Sequence, residues 1–242
     1  MKIALVSDIH GNLEALTAVL REIDRLQVDD IYCLGDVVGY GCDPIACLDL
    51  IDKRASVKLM GNHEYAVLRR LSTDTYSSAA KVSTEWTRGQ LTDREFTMMA
   101  DYRMTHDFED GTLVHSSPLE PNRWQYILDA DQAGQVFEHF KGSICFHGHS
   151  HLPTIFRETP EGLPRQQAGH DFDPTDDQRY LVNIGSVGQP RDNDPRACFV
   201  TYDLSLGEIR FHRTEYDIVK TQEKMTLAKL PDMLVQRLAV GR

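Results

Sequence analysis

The sequence predicts an α/β protein in which two stacked β-sheets are covered by helices on the outside. Residues 1–61 alternate short apolar runs with helical patterns, which is typical of parallel strands joined by crossover helices. From residue 153 onward the apolar runs alternate as antiparallel strands do. No linker separates these two parts, so we expect one domain over residues 1–242.

The first part of the chain should supply the parallel strands. A helix over residues 12–25 follows the first strand, because its apolar residues recur at helical spacing, and Pro44 opens a second helix that runs to about Lys53. The strands themselves are short and apolar. They are predicted at residues 2–7 (KIALVS), 30–35 (DIYCLG) and 55–61 (ASVKLMG).

The middle of the chain changes character. Residues 64–103 have helical patterns and form a predicted helical insertion. We expect this insertion to form one wall of a functional site. Residues 104–117 predict a β-hairpin with Asp110-Gly111 as its turn. A further helix is expected over residues 129–140.

The last part is predicted to be mostly antiparallel, with a helical tail from about residue 216 to 240. Residues 159–178 are rich in Pro, Gly and Asp and should form a loop or a sheet edge. A strand at residues 143–151 ends in a loop before this part. The expected antiparallel strands are residues 153–158, 179–185, 196–203 and 207–214.

Composition limits the partners. Lys and Arg total 26 against 37 Asp and Glu, a formal net charge of −11, which disfavours broad binding to nucleic acid. The N-terminal apolar run is only IALV, too short for a signal peptide or a membrane span. The five cysteines are irregularly spaced without a CxxC motif, so disulfides and zinc ribbons are not expected. We therefore expect a cytoplasmic protein without membrane partners.

Five short polar motifs follow the predicted strands. Because ligand sites in such sheets lie beyond the carboxyl ends of strands, we expect these motifs to meet at one rim. In an extended segment residues i and i+2 point the same way, which would place Asp8 with His10 and His149 with His151. The motifs are Asp8-Ile9-His10, Gly35-Asp36, Gly61-Asn62-His63-Glu64, His115, and His147-Gly148-His149-Ser150-His151.

These motifs offer a mixed set of oxygen and nitrogen ligands without a thiolate, which favours Mn, Fe, Zn or Ni over calcium. Seven ligands are too many for one small cation and suit two ions bridged by the Asp36 carboxylate. Two divalent ions against two carboxylates leave positive charge for a phosphoryl group and for a metal-bound hydroxide as nucleophile. The predicted ligands are Asp8, His10, Asp36, Asn62, His115, His149 and His151.

His63 is not needed to complete the ligand set. It is the candidate catalytic residue, placed to stabilise the transition state or to protonate the leaving oxygen. Arg191, in the loop QPRDNDPR, either binds phosphate or locks a turn by pairing with Asp192 or Asp194. Arg123, with Trp124 and Tyr126, either lines a substrate pocket or anchors its loop. His147 is interpreted as structural.

The motifs DxH, GD, GNHE, H and GHxH resemble those of the calcineurin-like metallophosphoesterase superfamily. SDIHGN, GDVVGYG (35–41), WTRGQL (86–91) and NIGSVGQPRD (183–192) are similar to its small prokaryotic phosphodiesterase branch. The resemblance implies a four-layer αββα sandwich with a dimetal site at one edge and His63 on the phosphate side. It implies Asp8, His10, Asp36 and His151 on one metal, and Asp36, Asn62, His115 and His149 on the other.

The implied function is a dinuclear-metal-dependent phosphoesterase for a small phosphodiester, nucleotide or dinucleoside polyphosphate. A protein serine/threonine phosphatase is one alternative, but members of that class carry GDxVDRG where this chain has GDVVGYG. The missing Asp leaves open what orients His63, with Glu64 or a backbone carbonyl as candidates. A non-catalytic scaffold on the same fold is the other alternative, although none of the expected ligands is missing from the sequence.

Overall fold

The computed structural model describes residues 1–74, 76–160, 162–175 and 177–242. Its strands are β1 Lys2–Val6, β2 Asp30–Cys33, β3 Val57–Lys58, β4 Thr105–Phe108, β5 Gly111–Val114, β6 Ile144–His147, β7 Thr154–Arg157, β8 Arg165–Ala168, β9 Tyr180–Asn183, β10 Ala197–Asp203 and β11 Glu208–Thr214. Its helices are α1 Leu13–Leu26, α2 Pro44–Arg54, α3 Asn62–Val67, α4 Ser78–Gln90, α5 Asp93–Ala100, α6 Ala130–Gly134, α7 Ile218–Leu227 and α8 Asp232–Gln236, with 3₁₀ turns at Pro121–Arg123, Phe137–His139 and Arg237–Ala239.

The strands form two mixed sheets. The first has the order β11-β10-β1-β2-β3, in which β1, β2 and β3 run parallel and β10 is antiparallel to β1. The second has the order β4-β5-β6-β9-β7-β8. Strand β9 was expected to be antiparallel, and it is so toward β7, but it pairs in parallel with β6. The long connection from β6 through the hairpin of β7 and β8 allows β9 to return in the direction of β6.

Alternating side chains along the strands build the layers. In β1, Ile3 and Leu5 enter the core between the two sheets, whereas Ala4 and Val6 face α1 and α2. In β6, Phe146 faces the first sheet and Cys145 faces Phe137 and the α6 region. The resulting order of helices, sheet, sheet and helices confirms the predicted four-layer αββα class.

The helix α1 shows how the local sequence sets an element boundary. Asn12 precedes it and its side-chain oxygen accepts a hydrogen bond from the Ala15 amide at 3.1 Å, which satisfies one of the free N–H groups of the first turn. Pro44 begins α2, where a missing N–H costs nothing. These caps fix where the loops that precede the helices end, and those loops carry the polar motifs.

The predicted hairpin turn is wrong by one residue. Glu109 and Asp110 form the turn between β4 and β5, and Gly111 is already paired with Phe108 and Ile144 in the sheet. A Cβ atom on Gly111 would lie 1.7 Å from the Ile144 carbonyl oxygen. Glycine is therefore required by the close approach of β6 and not by the turn.

The C-terminal tail closes one side of the molecule. Leu234 and Leu238 pack with Ala79 of α4 and with Met225 of α7 in a separate apolar cluster, against which Tyr40 also lies. The tail thereby reaches the loop between β2 and α2. Across the described ranges, no helix combines the length and the apolar character that crossing a bilayer requires.

Candidate metal centre

The polar motifs converge where strands of both sheets end. Each of the predicted ligands follows a strand or begins the helix after it, and none of them is more than 8% exposed. His63, on the first turn of α3, is 2% exposed and lies among them. The buried set consists of Asp8 after β1, His10, Asp36 after β2, Asn62, His115 after β5, His149 after β6, and His151.

The expected extended backbone at these motifs is wrong. Asp8 and His10 have φ values of 54° and 51°, and His149 and His151 have values of 68° and 61°. These residues therefore lie in the left-handed region, which costs a non-glycine residue about 1 kcal/mol or more. Backbone hydrogen bonds between adjacent loops hold the conformation, including that from the His10 amide to the Asp36 carbonyl at 2.9 Å.

The side chains form three overlapping groups, and within each group the ligand atoms all lie within 4.8 Å of one another. In the first, the His151 Nε2 atom lies 3.2 Å from Asp8 Oδ1 and 3.1 Å from His10 Nε2. The Asp36 Oδ2 atom lies 3.7 Å from His10 Nε2 and 3.3 Å from His115 Nε2. Asp36 thus stands between two halves of the set. The groups are Asp8, His10 and His151; His10, Asp36 and His63; and Asp36, His115 and His149.

Backbone carbonyls orient the four ligand histidines. An imidazole nitrogen that donates its proton to a carbonyl leaves the other ring nitrogen free to bind an ion, which fixes both tautomer and ring direction. Each ring here uses one nitrogen in this way. The pairs are His10 Nδ1 with Val38 O at 3.1 Å, His115 Nδ1 with Leu34 O at 2.9 Å, His151 Nδ1 with Gln189 O at 2.6 Å, and His149 Nε2 with Trp124 O at 3.0 Å.

Asn62 is held in the same manner by a residue that the sequence analysis did not identify. Its Nδ2 atom donates to the Tyr76 hydroxyl at 2.9 Å, and that hydroxyl donates to the Asn62 carbonyl at 3.2 Å. The Asn62 Oδ1 atom is then buried without a hydrogen-bond partner among the described residues, as are Asp8 Oδ1 and His115 Nε2. Such buried unpaired atoms cost about 1–3 kcal/mol each, and cations bound at the centre would satisfy all three.

The charges at the centre suit a cation. Burial alone would raise the pKa of Asp36, but His115 and His63 outweigh it and hold the pKa below its usual value. The same balance, with His151 as the main partner, lowers the pKa of Asp8 and keeps it ionised. Burial lowers the pKa of His149 to about 3 and that of His63 to about 4, so both rings are neutral at pH 7. Burial would lower the pKa of His115, but the Asp36 carboxylate outweighs it and raises that pKa to about 9, so a cation bound there would replace the proton of this ring. Two carboxylates and four imidazoles are a suitable donor set for divalent metals.

Glu64 does not orient His63. Its carboxylate accepts hydrogen bonds from the amides of Asp36 at 2.9 Å, Val38 at 3.0 Å and Gly61 at 2.9 Å, and it makes none with the described His63 ring. It joins two polar motifs, the loop after β2 and the start of α3. The His63 Nδ1 atom has no hydrogen-bond partner in the described ranges, and the ring is held by packing 4.4 Å from Tyr40 and 4.8 Å from His10.

Replacing Glu64 by Ala should therefore destabilise the fold. Three buried backbone amides lose a carboxylate acceptor, so we expect the free energy of unfolding to fall by about 2–4 kcal/mol. Urea unfolding of the wild type and the variant measures the difference. Glu85→Ala, which removes an exposed carboxylate from α4, is the control and should change the value by less than about 1 kcal/mol. Equal stability of the two variants would contradict the bridging role.

A cleft of about 460 Å³ opens beside the centre, and the tail and the helical insertion form two of its walls. The insertion was expected to do so. Tyr76 and Arg237 are cleft residues that no motif signalled, since each depends on packing between distant segments. The lining consists of Tyr40, Asn62, His63, Leu71, Tyr76, Ser77, Ala80, Arg123, Trp124, Tyr126, His149, Arg191 and Arg237.

The residues predicted to bind substrate lie in different parts of the site. Arg191 lines the cleft and does not pair with Asp192 or Asp194, whose carboxylates instead contact Arg213 and Arg196. Arg123 is at the cleft rim, with its side chain 67% exposed and 3.6 Å from Glu120. Trp124 is mostly buried in the core, whereas the Tyr126 ring stacks on His149 at 4.1 Å.

His147 lies outside the three groups. Its Nδ1 atom is 3.3 Å from the Asn183 side chain, and burial lowers its pKa to about 3. It is a buried, neutral ring behind the centre, consistent with a structural residue.

Comparison with known proteins identifies the family of the chain. The family model of the calcineurin-like phosphoesterase superfamily domain matches residues 1–206. An uncharacterised protein of Methanocaldococcus jannaschii is 36% identical over 99% of this chain and 98% of its own length. The crystal structure of a metallophosphoesterase from Sphaerobacter thermophilus is 39% identical, covers 100% of this chain and 99% of that one, and has a TM-score of 0.89.

A second solved structure, a hypothetical protein from Pyrococcus horikoshii, shares the fold at 20% identity, with a TM-score of 0.78 over 100% of this chain and 98% of that one. The matched region contains all the motifs that converge at the centre. On the strength of its sequence, its layered fold and these relatives, the chain belongs to the calcineurin-like phosphoesterase superfamily.

Proposed function

We propose that the chain hydrolyses a small phosphodiester, nucleotide or dinucleoside polyphosphate with two divalent ions, drawn from Mn, Fe, Zn or Ni. The observation that carries this proposal is the sharing of Asp36 by two groups of buried side chains, one with His10 and His63 and the other with His115 and His149. A carboxylate between two nitrogen-rich groups is suited to bridge two cations.

The first ion would be held by Asp8, His10, Asp36 and His151, and the second by Asp36, Asn62, His115 and His149. When bound, the ions supply Lewis acidity that polarises a phosphoryl oxygen and lowers the pKa of water to near neutrality. The chain supplies the position of each ligand. The carbonyls described above hold the rings, and Tyr76 holds the Asn62 amide so that its oxygen faces the centre.

His63 and Arg191 would act on the substrate. His63 is neutral at pH 7, because burial lowers its pKa, and lies where the centre meets the cleft, so its ring N–H can donate a hydrogen bond to a phosphoryl or leaving oxygen. The Arg191 guanidinium lies 5.9 Å from the Tyr40 ring, and its Nε atom has no partner among the described residues. It can bind the phosphoryl oxygens in bidentate fashion.

The shape of the cleft supports a small substrate over a phosphorylated protein. A volume of about 460 Å³ with Tyr40, Tyr76 and Tyr126 in its walls is typical of small-molecule sites. We place the reaction in the cytoplasm, which is supported by five cysteines that are all unpaired.

Metal dependence is the test of this function. Protein stripped with a chelator and then loaded with Mn²⁺ should bind two ions per chain and hydrolyse bis-p-nitrophenyl phosphate at least about a hundredfold faster than the stripped sample. Metal analysis and turnover are measured on the same preparation. A loaded protein that turns over no phosphoester in a panel of monoesters, diesters, nucleotides and dinucleoside polyphosphates contradicts the proposal. A preference for phosphopeptides would support the protein phosphatase alternative.

A further inference from the structure

We propose that Arg191 and Arg237 together form an anion clamp for linked phosphates, in which Arg191 binds the phosphoryl group at the metal centre and Arg237 binds a second, non-scissile phosphate of the substrate. This inference rests on the proposed function and narrows its substrate to compounds with two or more linked phosphates. Arg191 would stand nearer the metal centre and Arg237 would bind the phosphate beyond it. The polar groups of the cleft, the placement of the tail and the contacts of the two guanidinium groups support this arrangement.

The charge of the cleft is opposite to that of the chain. The protein has 37 acidic and 26 basic side chains, yet the described lining of the cleft contains Arg123, Arg191 and Arg237 and no carboxylate. Arg123 at the rim is paired with Glu120. The remaining two arginines give the interior of the cleft a positive field that attracts phosphate.

Arg237 reaches the cleft because the tail is fixed there. Leu234 and Leu238, on either side of it in the sequence, are buried against α4 and α7. The Asn193 amide donates to the Gly241 carbonyl at 2.9 Å, and so ties the tail to the loop that carries Arg191. The same packed unit therefore positions both guanidinium groups.

Neither guanidinium pairs with an Asp or Glu side chain within the described ranges. The Arg237 Nε atom donates to the Arg242 carbonyl, and the Arg191 Nη2 atom donates to the Gln189 side chain at 3.1 Å. Burial, together with the nearby charge of Arg191, lowers the pKa of Arg237. Two like charges brought together without an acidic side chain between them repel each other, and a bound anion would relieve this repulsion.

The positions of Arg191 and Arg237 relative to the metal centre determine which class of substrate would fit. Tyr40 lies 4.4 Å from the rings of His10 and His63 and 5.9 Å from the Arg191 guanidinium. A phosphoryl group at the proposed metal centre would thus be next to Arg191, and a phosphate linked to it would extend into the part of the cleft that Arg237 lines. A nucleoside diphosphate ester has this spacing of charges, whereas a simple diester has one anionic group only.

The test compares AMP with ADP as competitive inhibitors of bis-p-nitrophenyl phosphate hydrolysis at a fixed free Mn²⁺ concentration. For the wild type we expect the inhibition constant of ADP to be at least about tenfold lower than that of AMP. Arg237→Gln should reduce this ratio to within about threefold of unity, and Arg237→Lys should restore part of it. Arg25→Gln, which removes an 80% exposed charge on α1, is the control and should retain the wild-type ratio.

The outcomes separate the two proposals. A wild-type ratio near unity, or a ratio that Arg237→Gln leaves at its wild-type value, overturns the clamp. If no variant turns over any phosphoester, the proposed function fails, and calorimetric titration of AMP and ADP into the same Mn²⁺-loaded proteins still tests the clamp. In that experiment, a preference for ADP that depends on Arg237 supports the clamp, and its absence overturns it.

Discussion

Asp36→Asn should lower kcat for bis-p-nitrophenyl phosphate at least about a thousandfold and reduce the bound metal below two ions per chain. A thousandfold loss corresponds to about 4 kcal/mol of transition-state stabilisation. The Asp36 Oδ2 atom lies near the ring nitrogens of both His10 and His115. The Oδ1 atom of the same carboxylate accepts a hydrogen bond from the His63 amide at 2.9 Å. Asparagine keeps the shape and one oxygen but loses the charge that two cations would share.

The measurements are kcat with Mn²⁺ and metal content by mass spectrometry. Asp52→Asn removes the same charge from the exposed face of α2, where the carboxylate pairs with Lys58, and should keep activity within about twofold. A retained pair of ions together with activity within about tenfold of the wild type would show that Asp36 does not bridge.

Gly39→Ala should lower kcat about a hundredfold while both metal ions stay bound. Gly39 has a φ of +86°, and a Cβ atom there would lie 2.2 Å from His63 Nδ1 and 2.8 Å from His63 Cγ. The methyl group must push the ring away from the cleft, and the loss of a positioned acid or hydrogen-bond donor costs about 10²–10⁴ in rate. The protein phosphatases have the Asp of GDxVDRG at this point of the motif, so here the ring is positioned by contact and not by a carboxylate.

Substitutions at two other glycines distinguish the effect of the contact with His63 from the effect of backbone strain. Gly207, in the turn between β10 and β11, has a φ of +67°, and a Cβ atom there would have no neighbour within 4 Å, so Gly207→Ala tests the backbone strain alone. Gly89 in α4 has neither strain nor a neighbour, and Gly89→Ala should be neutral or slightly stabilising. If Gly39→Ala were as active as Gly207→Ala, the contact with His63 would have no catalytic consequence.

The sequence was sufficient for the features that depend on local pattern. Apolar runs located the parallel strands of the first sheet and apolar alternation located the later antiparallel strands, whereas the polar edge strand β8 lies within the predicted loop or edge at 159–178. The position of Asp8, Asp36 and His115 after strand ends was enough to bring them to one rim. Local sequence pattern failed where contacts between distant segments determine the backbone conformation. Asp8 and His10 share a side through left-handed backbone in a loop clamped by its neighbour, and not through strand alternation.

Local sequence pattern also could not predict the roles of residues whose positions depend on contacts with distant segments of the chain. Glu64 looked like a partner for its neighbour His63, but three amides from two loops capture its carboxylate. Arg237 lies far from every motif in the sequence, and only the burial of Leu234 and Leu238 brings it to the cleft. The types of residues and their spacing in the sequence do not indicate which helix the C-terminal tail will cover.

The contact between His10 and His151 spans 141 residues of chain, and the Gln189 carbonyl that aligns His151 comes later still. During synthesis, the amino-terminal ligands therefore leave the ribosome long before their carboxyl-terminal partners exist. With the two-ion centre that we propose, a nascent chain would hold only part of the ligand set, and loading with ions would come at the final stage of maturation. Ion availability at that moment, and not during early translation, would then decide which metals the finished protein contains.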